Sequence, residues 1–136
     1  LFDMTGKAGD DYVARRSEAA IERWARAMTE LVRRGEAPRS VEMELFALAV
    51  GKVVLAGVAA EVFSRFTDEL RQITGRQVYT VGYANGDVGY LPPRAAYAEG
   101  GYEVESAFVY YFGFRLQPGG FELVRDRVAD MIRGLA

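Results

Sequence analysis

The sequence feature that most constrains the fold is a short β-branched and apolar run over Lys52–Val58. From Val53 onward its residues are apolar at consecutive rather than alternate positions, which is typical of a strand covered on both faces. Such a strand needs neighbouring strands to satisfy its backbone and packed layers to cover its side chains. We therefore expect helices packed on a mixed, largely buried β-sheet, in the α/β or α+β class.

The residues around this run extend the predicted sheet. Val41–Val50 alternates imperfectly and is followed by Gly51-Lys52, which predicts a β-hairpin between it and the apolar run. Apolar residues then recur at helical spacing, which predicts a helix that opens at Glu61 and ends at Gly75. A third strand is predicted over Val78–Ala84. If this strand and the apolar run are parallel neighbours, their carboxyl ends meet at one edge of the sheet.

The remaining elements complete one predicted domain without an internal boundary. Helical periodicity predicts two further long helices, over Asp11–Arg34 and Gly119–Leu135. Shorter expectations are the end of a strand at Leu1–Met4, a glycine-containing loop over Thr5–Asp11, a short helix within Pro93–Glu99 and an extended segment over Phe108–Phe114.

Composition excludes several classes of function. The chain of 136 residues contains no cysteine, so it has neither a disulfide nor a thiolate nucleophile. It also contains no histidine, which argues against a complete zinc hydrolase or serine hydrolase, since these normally need an imidazole. A net charge of −2 does not favour a nucleic-acid partner. No apolar run approaches the ~20 residues of a transmembrane helix.

The residues richest in chemistry follow the predicted strand ends. Glu61 follows the apolar run, and Asn85 precedes a tyrosine-rich, glycine- and proline-rich loop. Ligands bind at the carboxyl ends of strands in open α/β sheets, and carboxylates and phenolates are acceptable ligands for a hard or borderline cation. Two other interpretations stay open at this point. A glutamate at a helix start commonly complements the helix dipole, and loop tyrosines commonly pack with a solvated hydroxyl.

Several segments resemble the neutral/alkaline, non-lysosomal ceramidase family. Val41–Phe63, which ends in Ala-Ala-Glu-Val-Phe, resembles a family stretch that ends in Pro-Gly-Glu-hydrophobic-Phe. Val81–Pro92 resembles the strand end that contains an asparagine in the family, and Ala96–Glu103 is similar to the motif that follows it. Gly9-Asp10 is similar to the end of an upstream family strand. The resemblance implies that residues 1–136 are a single partial domain, the C-terminal portion of a ceramidase-like catalytic domain.

The resemblance also implies roles for individual residues. The family holds zinc with two histidines, a glutamate and a tyrosine, and the matching residues here are Glu61 and Tyr90. Tyr102 matches a tyrosine that hydrogen-bonds the substrate amide oxygen as it becomes an oxyanion. Asn85 and the following Gly86-Asp87 would shape the turn that aims Tyr90, although an ordinary turn is an equal interpretation. The two histidines would lie upstream of this chain, which agrees with its lack of histidine.

The implied function is zinc-dependent hydrolysis of the N-acyl amide bond of ceramide or a related lipid amide. This chain alone is expected to be inactive, and its expected partners are a lipid amide substrate and the upstream segment of the same protein. The family resemblance implies a secreted or membrane-associated protein.

Two departures from the family pattern leave alternatives open. Ala59-Ala60 replaces Pro-Gly before the glutamate, and Asp87 stands where family members often carry an aromatic residue. One alternative is a catalytically silent homologue that acts as a binding or structural module. Another is a hydrolase of the same fold that acts on a non-lipid amide.

Overall fold

The structure, a computed structural model, describes residues 7–111 and 113–135, and side chains from residue 17 onward. Its elements in chain order are α1 (Lys7–Arg34), β1 (Leu45–Val50), β2 (Val53–Val58), β3 (Glu61–Val62), α2 (Arg65–Thr74), β4 (Gln77–Val81), β5 (Tyr90–Leu91), α3 (Ala96–Glu99), α4 (Tyr102–Glu105), a short 3₁₀ helix (Ala107–Val109) and α5 (Gly120–Arg133). The predicted class of helices packed on a mixed sheet is confirmed.

The main sheet has three strands in the order β1-β2-β4. β1 and β2 form the predicted antiparallel hairpin, and Gly51 supplies the turn with a positive φ of 60°. β2 and β4 are parallel, in a register that opposes Gly57 to Val81 at their carboxyl ends. β3 and β5 form a separate two-stranded parallel ladder just beyond that edge.

The hydrophobic core lies on one face of the sheet. Val54 and Val78 sit opposite one another on β2 and β4, and both are fully buried. Helices α2 and α5 cover this face, where the rings of Phe66 and Phe121 meet edge to face at 5.2 Å between centroids. Because the strands expose alternate residues to opposite faces, the other face presents side chains such as Tyr79, which is 46% exposed.

The helix ends follow local sequence signals. α2 ends as predicted at Gly75, whose φ of 65° is the left-handed conformation that glycine adopts without strain. The Gly75 N–H donates to the carbonyl of Arg71 at 2.9 Å and closes the last turn. α1 packs through Trp24, whose Nε1 donates to the carbonyl of Gly113 at 2.7 Å and whose ring contacts Phe108.

Glu61 does not open a helix, so that prediction is wrong. Its backbone N–H donates to the carbonyl of Gly89 at 2.9 Å, and Glu61 lies opposite Tyr90 in the β3–β5 ladder. Helix α2 begins later, at Arg65. Pairing with a distant segment outweighs the local helical signal, because each backbone group removed from water must find a partner.

Other boundaries differ from the predictions. The third strand ends at Val81, because Tyr83 and Asn85 adopt positive φ values of 55° and 62° that a strand does not accommodate. The part of Thr5–Asp11 from Lys7 onward is helical, so the predicted loop and the strand end at Gly9-Asp10 are wrong.

In the aromatic segment Phe108–Phe114, predicted as extended, the chain instead turns through the 3₁₀ helix and Tyr110-Tyr111. The predicted short helix before it is confirmed as α3, and the predicted C-terminal helix as α5. The strand end expected at Leu1–Met4 lies outside the described residues.

Candidate functional site

The carboxyl ends of β2 and β4 bring the tyrosine-containing loop next to Glu61. After β2 the chain passes through the buried Ala59-Ala60 and reaches Glu61. After β4 the backbone N–H of Tyr83 donates to the carbonyl of Ala60 at 3.1 Å, which ties the two segments together. The parallel arrangement on which the sequence argument depended is therefore present.

Ala59-Ala60 makes this approach without the glycine of the family pattern. Neither alanine has a positive φ, so the segment needs no left-handed residue to deliver Glu61. Ala59 and Ala60 are 4% and 0% exposed, so neighbouring residues enclose both side chains. The conformational strain lies instead on the facing loop, at Tyr83 and Asn85.

Glu61 is the centre of a cluster of tyrosines. The Tyr111 hydroxyl donates a hydrogen bond to its Oε1. Hydrogen bonding to the same carboxylate, together with desolvation and its negative charge, raises the pKa of Tyr83 and of Tyr90 to about 12. Both phenols therefore keep their protons at neutral pH.

The tyrosine rings hold one another in place. The ring of Tyr90 meets Tyr102 edge to face at 5.9 Å, Tyr111 at 6.4 Å and Phe63 at 6.5 Å between centroids. Tyr102 is the first residue of α4 and is 49% exposed, so its ring leans on Tyr90 while part of it faces solvent. Burial raises the pKa of Tyr102, with smaller contributions from Tyr110 and Glu61.

The turn between β4 and β5 contains the other predicted site residues. The Asp87 carboxylate accepts a hydrogen bond from the Gly89 N–H at 2.9 Å, and Gly86 adopts a φ of 153°. The Asn85 side chain binds outside the cluster, since its Nδ2 donates to Oε1 of Glu44 at 2.6 Å. The structure thus brings Glu61, Tyr90 and Tyr102 together and gives the turn residues a role in shaping the loop before β5.

Two members of the cluster were missed by the sequence analysis. Tyr83 comes two residues after β4, and a tyrosine next to a predicted strand end was a usable signal. Tyr111 lies 50 positions from Glu61, in a segment predicted as extended, and no local pattern could have indicated its contact. Glu61, Tyr83 and Tyr90 line a cavity of about 380 Å³, a volume within the ~300–1,000 Å³ typical of ligand sites.

The donor set fits part of a zinc site. Carboxylate and phenol oxygens are acceptable zinc ligands, and Glu61 and Tyr90 lie opposite one another on neighbouring strands. Among the described residues, no three His, Cys, Asp or Glu side chains are grouped closely enough to hold a metal ion.

Comparisons with known proteins support a ceramidase-like fold. No family profile matches the chain, and a search of curated proteins finds no significant match. Among solved structures, neutral ceramidase from Pseudomonas aeruginosa is similar to this chain, with a TM-score of 0.50 and 23% sequence identity. The match covers 64% of this chain and 14% of the ceramidase chain. This likeness shows a shared fold, and the chain spans a small share of that protein's length.

No helix within residues 7–111 and 113–135 combines the length and apolar character needed to cross a bilayer.

Proposed function

We propose that this chain supplies part of the active site of a zinc-dependent amidohydrolase, which cleaves the N-acyl amide bond of ceramide or a related lipid amide. The observation that carries the proposal is the placement of Glu61 opposite Tyr90 on the paired strands β3 and β5. The ceramidase-like fold supports it independently of the side chains. In this proposal the chain is the C-terminal portion of a catalytic domain in a secreted or membrane-associated protein.

Glu61 and Tyr90 are the residues that would hold zinc. When bound, zinc would polarise the amide carbonyl and lower the pKa of a bound water toward ~7. The carboxylate of Glu61 brings the negative charge that offsets part of the cation's charge. Two histidines from an upstream segment would complete the ligand set, which is consistent with the absence of histidine from this chain.

Tyr102 would donate a hydrogen bond to the amide oxygen as negative charge develops on it. Its raised pKa keeps the hydroxyl protonated, and its partial exposure leaves it accessible to a substrate. Contact with the ring of Tyr90 fixes its position relative to Glu61. Removal of one such donor typically costs about 2.7–4 kcal/mol in the activation barrier.

The proposal is tested with the protein that includes its upstream segment, expressed with zinc. We expect about one zinc per chain by elemental analysis and hydrolysis of a fluorescent N-acyl sphingosine. Glu61→Gln should remove the zinc and lower kcat/KM by more than roughly 100-fold. Substitution of a residue that only hydrogen-bonds a metal ligand already lowers metal affinity or activity by roughly 10–100-fold. Tyr79→Phe is the matched control, because Tyr79 lies on the exposed face of the sheet. Stoichiometric zinc retained by Glu61→Gln would refute the assigned ligand.

A second candidate is a catalytically silent homologue that keeps the fold as a binding or structural module. The observation that favours it is the hydrogen bond from Tyr111, which already occupies one oxygen of Glu61. The same experiment separates the two candidates. A chain with its upstream segment that binds no zinc and hydrolyses no amide would be the silent module.

A further inference from the structure

A second concave surface lies beside the tyrosine cluster. It is a groove of about 770 Å³. One wall is the end of α1 and the linker that follows it, and the other is residues 113–117. Its apolar lining comes from Leu31, Val41, Phe114 and Leu116. Tyr111 lines the groove and also donates to Glu61, so a molecule in the groove would lie against the candidate site.

The groove continues toward the start of α5. A neighbouring cavity of about 320 Å³ shares Arg39 and Val41 with it and extends to Met43, Leu91 and Leu123. Leu123 is 73% exposed, an unusual exposure for a leucine on a helix whose opposite side packs in the core. The two cavities share part of their lining, and the second is lined mostly by apolar side chains, which suits a hydrocarbon chain.

The charges in the groove are of one sign. Arg39 and Arg115 line it, and no acidic side chain is among the described residues that do so. Neither arginine forms an ion pair within the described part of the chain. The Arg115 guanidinium lies over the ring of Tyr97, 5.3 Å from its centroid, which restrains it at the wall of the groove. Two guanidinium groups beside apolar walls complement an anionic group attached to an apolar chain.

We propose that this groove, here called the arginine groove, binds a single-chain amphiphile with an anionic head group. Arg39 and Arg115 bind the head group, and the path toward Leu123 holds the hydrocarbon tail. This binding does not depend on zinc or on hydrolysis, so it stands or falls separately from the proposed function.

The test measures calorimetric binding to the zinc-free 136-residue chain, below micelle-forming concentrations. The probes are dodecanoate, dodecylphosphate, octanoate and uncharged dodecanol. We expect dodecanoate to bind at least about tenfold more tightly than dodecanol, the ratio that one charge-assisted contact supplies. Preference for dodecylphosphate over dodecanoate would support the groove and assign a phosphate head group. Equal affinity for dodecanol and both anions would overturn the proposal.

Head-group variants test the role of the arginines. Arg39→Gln and Arg115→Gln should each weaken dodecanoate binding about tenfold and leave dodecanol unchanged. Arg115→Lys should retain most of the affinity because it retains the charge. Arg127→Gln is the matched control, since Arg127 is exposed on α5 and lines neither cavity. Unchanged dodecanoate affinity in a double Arg39→Gln, Arg115→Gln variant would overturn the proposal.

A tail variant tests the direction of the chain. Leu123→Ser alters an exposed side chain, so the fold should be preserved. It should weaken dodecanoate more than octanoate, because each buried methylene contributes roughly fourfold to affinity and the proposal places the end of the longer chain beside Leu123. Equal weakening of both probes would contradict the proposed path.

Discussion

Substitution of Gly89 by alanine tests how the candidate site is assembled. Gly89 precedes β5, accepts the backbone hydrogen bond of Glu61 and lies beneath the ring of Tyr111. Its φ is 94°, a conformation that residues with a Cβ rarely adopt. A Cβ at this position would lie 3.0 Å from Cδ2 and 3.1 Å from Cγ of Tyr111. Gly89→Ala should therefore strain the backbone and displace the ring that reaches Glu61.

The expected cost has two parts that a matched control separates. Backbone strain at a sparsely populated φ costs about 1–3 kcal/mol, and overpacking against a ring costs about 1–3 kcal/mol more. Gly35 has a φ of 72°, but a Cβ there would have no other atom within 4 Å, so Gly35→Ala incurs the strain without the contact. We expect Gly89→Ala to lower the free energy of unfolding by about 2–6 kcal/mol, and by more than Gly35→Ala.

The assay is urea unfolding followed by the fluorescence of Trp24, the single tryptophan of the chain. Its Nε1 donates to the carbonyl of Gly113, two residues beyond Tyr111, so its emission reports on the packing of this segment. When Tyr111 is already replaced by alanine, the contact with its ring is gone. Gly89→Ala should then lower the free energy of unfolding by no more than Gly35→Ala does. Equal destabilisation by the two glycine substitutions, or full additivity with Tyr111→Ala, would refute the reasoning.

Two further predictions concern the packing of α2 and α5. Glu69 is desolvated by burial, which raises its pKa, but hydrogen bonds from Arg125 and Arg65 outweigh this and the pKa is lowered overall. The carboxylate therefore stabilises the fold above the unfolded-state pKa of ~4.5, and this contribution is lost as pH falls through the lowered folded-state value. Glu69→Gln should lower the free energy of unfolding by about 1–3 kcal/mol at pH 7. The difference in urea midpoint between this variant and the wild type should shrink below pH ~4.5. A difference that stays constant with pH would contradict the assignment. Phe66→Ala removes a fully buried ring that packs on Phe121. By the same assay it should lower the free energy of unfolding by about 3–5 kcal/mol, and a loss under ~1 kcal/mol would contradict the described core.

Local sequence patterns were sufficient to predict the strand and the helix that flank the candidate site. The apolar run that became β2, the helical spacing of α2 and the glycine at position 75 each have a physical cause within a few residues of chain. Whether the two predicted strands are parallel neighbours stayed open in the sequence, and β2 and β4 have that arrangement. The sequence therefore located the strand ends, and the structure placed them at one edge of the sheet.

Local patterns failed where distant segments decide the backbone. Glu61 has the surroundings of a helix start, yet it pairs with β5, since the Gly89 carbonyl is the partner available to its N–H. The segment from Phe108 onward has an aromatic composition typical of strands, but Phe108 packs on Trp24 of α1. These contacts join residues far apart in the chain, and no window of sequence contains both partners.

The sequence by itself determined the class of fold, the lack of cysteine and histidine in this chain, and Glu61 with the tyrosine-rich loop as the region to consider. The family resemblance singled out Tyr90 and Tyr102 within that region. Only the tertiary structure decided that Tyr83 and Tyr111 join Glu61, and that Arg39 and Arg115 line one groove. The physical reason is that periodicity and turn propensity act over a few residues. A cluster of side chains depends instead on how whole elements pack, which is fixed by burial across the entire chain.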